Sequence, residues 1–119
     1  IMENILLKRL KNIWTQKEYQ LGFRMLNTLE SLFKLARERK NNPVENSYTN
    51  KLLSDKSFSK EKVLEEINEL IEAVDKNNNI IHEAADVFYH LIMYLEANEV
   101  KIEEVMGELN KRKKWKFLK

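Results

Sequence analysis

From Ile80 to Ala97 the chain can form a helix that is apolar nearly all round, yet Glu83, Asp86 and His90 lie inside it at i, i+3 and i+7. Successive helical residues turn by about 100°, so these three share one side. Around them stand Ala84, Ala85, Val87, Phe88, Tyr89, Leu91, Ile92, Met93, Tyr94 and Leu95. Such a helix is expected to be buried, with one side against a partner subunit. Taking a lone carboxylate out of water is costly unless it is paired or bound to metal. Two acids in so apolar a helix therefore call for a cation.

The preceding segment carries more acid. Glu65-Glu66-Ile67-Asn68-Glu69 puts Glu66 and Glu69 one helical turn apart, so their side chains can converge. Taken alone, Glu65, Glu66, Glu69 and Glu72 also read as an ordinary solvated face, opposite an apolar stripe of Val63, Leu64, Ile67, Leu70, Ile71 and Val74. The tight stretch Lys76-Asn77-Asn78-Asn79 favours a hairpin, which sets Glu66 and Glu69 across from Glu83 and Asp86. Four carboxylates cannot share a dry cleft without positive charge, and Lys62 is the obvious basic side chain nearby. A hard divalent cation with oxygen ligands answers that need. Mg²⁺ fits because it keeps waters and bridges to phosphates. A di-iron bundle would want Glu-x-x-His pairs, whereas Asp86 follows Glu83 here.

The rest of the chain is consistent with helices. Among 119 residues there are two Gly, one Pro and no Cys. So few turn formers argue against a β-rich fold, and the lack of Cys excludes disulfides, zinc–thiolate sites and cysteine nucleophiles. A first helix is expected around Ile5, Leu6, Leu10, Ile13 and Trp14, and a second around Leu26, Leu29, Leu32, Phe33 and Leu35, with a break at Gly22. Asn41 to Ser59 reads as one long loop around Pro43, with Ser59 capping the next helix, about Lys60 to Asp75. Helices follow at about Ile80–Ala97 and Lys101–Lys114, the latter with Ile102, Val105, Met106 and Leu109 inward. The expected fold is all-α, a bundle of four to five helices completed by homodimerisation.

Charge is uneven. Residues 1–60 hold twelve Lys and Arg against six acids, residues 61–108 hold three against thirteen, and the end from Asn110 is basic again. With a net charge of +2, bulk nucleic-acid binding is not expected, although the tail could touch it weakly. No apolar run of about 18 residues exists to span a bilayer and no secretory leader pattern stands at the start, so the expected compartment is cytoplasmic.

Glu65-Glu66-x-x-Glu69, thirteen residues, then Glu83-x-x-Asp86 resembles the EExxE…ExxD signature of the all-α NTP pyrophosphohydrolase (MazG-like) superfamily. Within it the chain is similar to the phosphoribosyl-ATP pyrophosphohydrolase family. That similarity is carried by Glu38-Arg39-Lys40, Asn46-Ser47-Tyr48-Thr49 with Leu52 and Leu53, Lys62-Val63-x-Glu65-Glu66, and Glu83-Ala84-Ala85-Asp86-Val87-x-Tyr89-His90-Leu91. The chain departs from the family at Leu64 and Ile67, where Gly and Ala are common. The likeness covers about Leu26 to Lys113. It implies a pyrophosphohydrolase domain over residues 26–114. Residues 1–25 find no counterpart in it and are expected to be a helical extension of unknown role, with a fusion junction as the alternative, and residues 115–119 form a basic tail.

The resemblance further implies Mg²⁺-dependent cleavage of phosphoribosyl-ATP, a small-molecule nucleotide, by a homodimer with active sites near the subunit interface. Glu66, Glu69, Glu83 and Asp86 would hold the metal, and Glu65 or one of these acids would orient or deprotonate water. Lys62 and the cluster Arg37, Arg39 and Lys40 would bind phosphates, and Ser47, Tyr48 and Thr49 would offer hydroxyls to phosphate or ribose. His90 would join them at the substrate. Each has a plainer alternative: a charged helix end for Arg37 to Lys40, a packed loop anchor for Tyr48, and a hydrogen-bonded core residue for His90. Two other functions compete with this one. The substrate could be another canonical or damaged (d)NTP, or the chain could be a non-catalytic helical interaction module using Lys111–Lys119.

Overall fold

The computed structural model describes residues 16–112. Five helices follow one another: α1 (Gln16–Asn41), α2 (Tyr48–Ser54), α3 (Lys56–Lys76), α4 (Ile80–Ala97) and α5 (Ile102–Arg112). The chain divides between Ser31 and Leu32. Gln16–Ser31, the described part of the first unit, is helical throughout, with no break at Gly22. The helix expected around Ile5–Trp14 and the basic end at 113–119 lie outside the described residues. Everything below concerns the unit that starts at Leu32. Among the described residues no helix is long and apolar enough to cross a membrane.

The stretch 41–59 is not one loop. Ser47 caps α2 by accepting from the Asn50 amide, and Asp55 caps α3 by accepting from the Phe58 amide. Leu52 and Leu53 of α2 enter the core. The Asn, Ser and Asp residues that suggested a loop serve instead as caps and braces, which these side chains do readily. Asn50 shows this well, donating to the Arg39 carbonyl and accepting from the Val44 amide. Ser59 caps nothing. It lies within α3, fully buried.

The α3–α4 pair forms the main packing contact. Lys76 ends α3, and the reversal uses Asn77 and Asn79 in the left-handed region, with φ of 50° and 61°. Asn tolerates that region better than most residues. Against expectation, the aliphatic stripe of α3 is split: Val63 is buried and Leu70 half-buried, but the rest of it is exposed. Leu64, Ile71 and Val74 are more than half exposed, while Ser59, Val63, Glu66 and Ala73 are buried. Helix α3 is thus rotated so that an acid faces α4. On α4, Ile92, Met93 and Ala97 are core residues, whereas Ile81 and Phe88 are exposed. On α5 only Ile102 is buried; Met106 and Leu109 stay open.

An ion-pair cluster ties the end of α1 to the α4–α5 junction. The buried Glu96 carboxylate accepts from Arg37 Nε at 3.2 Å and lies 3.6 Å from Lys40 Nζ. Lys40 also donates to the Glu96 carbonyl at 2.8 Å, satisfying a carbonyl near the C-terminus of α4. Glu99 pairs with Lys40 and Glu103 with Arg37, and the Arg37 contact holds Glu103 well below the usual carboxylate range. Glu96→Ala removes the buried acceptor of Arg37 and leaves both cations with their outer partners Glu103 and Glu99, so it is expected to lose about 1–2 kcal/mol in urea unfolding. Glu72→Ala, at the exposed Lys76 pair, is expected to leave the midpoint unchanged.

Candidate active site

The hairpin brings the sequence-predicted carboxylates together. One oxygen each from Glu66, Glu69 and Glu83 lies within 4.8 Å of the others, and His82, Glu83 and Asp86 form a second such group sharing Glu83. Glu66 is 9% exposed. Its Oε2, and that of Glu83, are buried without a hydrogen-bond partner. Burial, reinforced by Glu69, Asp86 and Glu83, pushes Glu66 up to about 7. Burial first, then the Glu69 charge, raises Glu83 as well. Acceptor oxygens that are buried, crowded and unsatisfied fit a hard divalent ion, which takes oxygen ligands and neutralises their mutual repulsion.

A polar wall stands beside this cluster. Lys62 donates to Glu65 at 3.2 Å, and that bond raises the lysine above its ordinary range. The Tyr48 hydroxyl is 2.8 Å from His90 Nε2, and Thr49 is hydrogen-bonded to Tyr89. Consecutive residues of α2 thus meet consecutive residues of α4. Burial raises the Tyr48 phenol, opposed by Lys62 and assisted by Glu66. Its ring meets Phe58 edge-on with centroids 6.0 Å apart, and Lys51 and Lys62 both lie over the Phe58 ring. Tyr48, Ser47, Asn50 and Lys51 contribute to the wall of a groove of about 520 Å³.

The basic residues of α1 go to different places. Arg39 Nη1 donates to Ser47 Oγ at 3.1 Å, which joins it to the cap of α2. Lys40 is not brought to the carboxylates, because its ammonium is held by Glu96 and Glu99 beyond the other end of α4. Ten residues of helix separate Asp86 from Glu96, about 15 Å. Arg37 is engaged at that same far end. His82 was missed from the sequence, although His82 and Asp86 at i and i+4 were a usable signal; Nε2 and Oδ2 are 3.4 Å apart. Tyr89 and Asn50 were missed too, since their partners are distant in sequence or on the backbone.

The perturbed carboxyl makes stability depend on pH. The ordinary value is 4.5 and Glu66 in the fold stands at about 7, so the folded state binds more protons across that window. In chelator, the melting temperature is expected to fall as pH rises through this window and to level off above it. Glu66→Gln should flatten most of that fall in a thermal melt series.

Comparison with known proteins places the chain in a family. Residues 26–113 match the family described as phosphoribosyl-ATP pyrophosphohydrolase. The chain is 41% identical over 93 residues to the phosphoribosyl-ATP pyrophosphatase of Clostridium novyi (strain NT), covering 75% of this chain and 84% of that one. It is 39% identical over 93 residues to the phosphoribosyl-ATP pyrophosphatase of Methanococcoides burtonii, covering 74% and 94%. It is also 39% identical over 92 residues to the histidine biosynthesis bifunctional protein HisIE of Pyrococcus furiosus, covering 75% of this chain and 43% of the larger protein. The matched stretch holds all four acids of the cluster together with α2 and its contacts to α4, and the chain belongs to the phosphoribosyl-ATP pyrophosphohydrolase family.

Proposed function

We propose that this chain hydrolyses phosphoribosyl-ATP to phosphoribosyl-AMP and pyrophosphate in histidine biosynthesis, in the cytoplasm, using Mg²⁺ held by Glu66, Glu69, Glu83 and Asp86. The observation that carries the reading is the pair of buried, unsatisfied carboxylate oxygens of Glu66 and Glu83 inside a cluster of acids. Each such oxygen costs free energy while it has no partner, and a bound cation would offset that cost.

When bound, the metal ion would neutralise the triphosphate and polarise the bond between the α and β phosphates. The chain's own residues supply the rest. Glu65 lies next in sequence to the cluster and can orient or deprotonate the attacking water, with Glu66 as the other candidate. Lys62, held beside Glu65, offers an ammonium to the departing pyrophosphate. Arg39 and Ser47, joined to each other, can receive a phosphate, and Tyr48, Thr49 and His90 line the approach from α2 and α4.

The reading includes a homodimer. Leu64, Ile67, Ile71 and Val74 follow the spacing of one helix stripe on α3, and all are exposed, as are Ile81, Phe88 and Leu91 on α4. An apolar surface of this extent fits a second copy of the chain better than water. The hydrophobic character of α4 is then explained by burial on two sides.

Purified protein with phosphoribosyl-ATP and Mg²⁺ is expected to release pyrophosphate, and Glu69→Gln to lose about 100-fold or more. A (d)NTP preferred over phosphoribosyl-ATP in a side-by-side panel would overturn the substrate. Adding Mg²⁺ should raise the melting temperature, more strongly at pH 8 than at pH 5, because carboxylate ligands must first lose their protons. Sedimentation is expected to find a dimer that Ile71→Lys converts to monomer.

A further inference from the structure

His90 is buried, 5% exposed, and both of its ring nitrogens are committed. Nδ1 lies 2.7 Å from the backbone carbonyl of Asp86, and Nε2 lies 2.8 Å from the Tyr48 hydroxyl. A carbonyl oxygen can only accept, so the neutral ring carries its hydrogen on Nδ1 and leaves Nε2 as a bare acceptor. The Tyr48 phenol must then donate its one hydrogen to Nε2. What remains to the phenol oxygen is acceptor capacity alone.

This decides what Tyr48 can recognise. Phosphate oxygens at neutral pH accept hydrogen bonds and do not donate, so a phenol whose hydrogen is already used has nothing to give them. A sugar hydroxyl is a donor. His90 follows Asp86 by four residues, about 6 Å along α4, so the anchored phenol stands close to where the acids would hold the triphosphate. The nearest donor groups a nucleotide offers there are the hydroxyls of the ribose joined to that triphosphate. Tyr48 also forms part of the groove wall next to Ser47 and Asn50.

We propose that Tyr48 is a hydrogen-bond acceptor for a hydroxyl of the ribose attached to the triphosphate, and that His90 is a positioning residue that fixes this polarity by taking the phenol's hydrogen. The inference rests on the proposed nucleotide site and adds a selection for nucleotides that carry the recognised hydroxyl, 2′ or 3′, over the deoxy analogue that lacks it. A site that hydrogen-bonds a hydroxyl favours the nucleotide that carries it over the analogue lacking it, by a modest factor here because Tyr48 is half exposed and water can replace the lost donor.

Two measurements test it on the full chain. The ¹⁵N spectrum of the His90 ring in the protein alone should show the hydrogen on Nδ1 and a bare Nε2. Calorimetric titration with Mg²⁺ and ATP, 2′-deoxy-ATP or 3′-deoxy-ATP should show ATP bound about five- to tenfold tighter than one deoxy form. Tyr48→Phe keeps the ring and its packing against Phe58, and it should bring the three affinities within about twofold. His90→Phe should do the same, with His90→Gln, which retains an acceptor, restoring part of the preference. A hydrogen on Nε2, equal affinities in the unaltered protein, or a preference that survives Tyr48→Phe overturns the proposal. A protein that selects the hydroxyl but releases no pyrophosphate from phosphoribosyl-ATP keeps this inference and loses the proposed reaction.

Discussion

Burial of Glu66 against α4 is the constraint on which the arrangement turns. An amphipathic helix normally hides its aliphatic stripe and exposes its acids. Here α3 keeps Val63 and Ala73 inside and Glu61, Glu65 and Glu72 outside, but it also buries Glu66 and leaves Leu64, Ile71 and Val74 exposed. Burying the carboxylate raises its proton affinity, and the neighbouring Glu69, Asp86 and Glu83 add to the effect. The same rotation leaves an aliphatic face without a partner inside the monomer. Acid pocket and open face are therefore two consequences of one helix orientation.

Helix α4 uses its acids in two different ways. Near its end, Glu96 is buried but satisfied, with Arg37 and Lys40 on its oxygens. Near its start, Glu83 is buried at one oxygen and has no hydrogen-bonding partner there. The contrast separates structure from chemistry within one element. A paired buried acid ties Arg37 and Lys40, at the end of α1, to the α4–α5 junction, while an unpaired one has an acceptor oxygen open to a ligand. Arg37 and Lys40, attractive phosphate binders on paper, belong to the first kind.

Helix α2 is the link between the acids and the groove. It is only seven residues long, too short to hold its conformation through its own backbone bonds. Its order comes from a cap at Ser47, two buried leucines and two side-chain bonds to α4. His90 is a buried, hydrogen-bonded residue, whereas Tyr48 opens helix α2 and is half exposed rather than a loop anchor packed on the core. The bond between the two residues sets which hydrogen-bonding groups Tyr48 presents to the groove.

The carboxylate cluster was legible in the chain because helical periodicity is a local property. Glu66 and Glu69, and Glu83 and Asp86, share a side whatever surrounds them, and the Asn-rich turn brings the two helices together. The all-α class was legible for the same reason, since scarce glycine and proline and long apolar periods act residue by residue. What the sequence could not supply was rotation and partnership. Whether the stripe or the acid of α3 points inward, whether Asn, Ser and Asp cap a helix or solvate a loop, and which cation meets Glu96 all depend on what packs against each element. Those choices compare the desolvation of alternative faces across the fold, an energy that exists only once the helices are in contact.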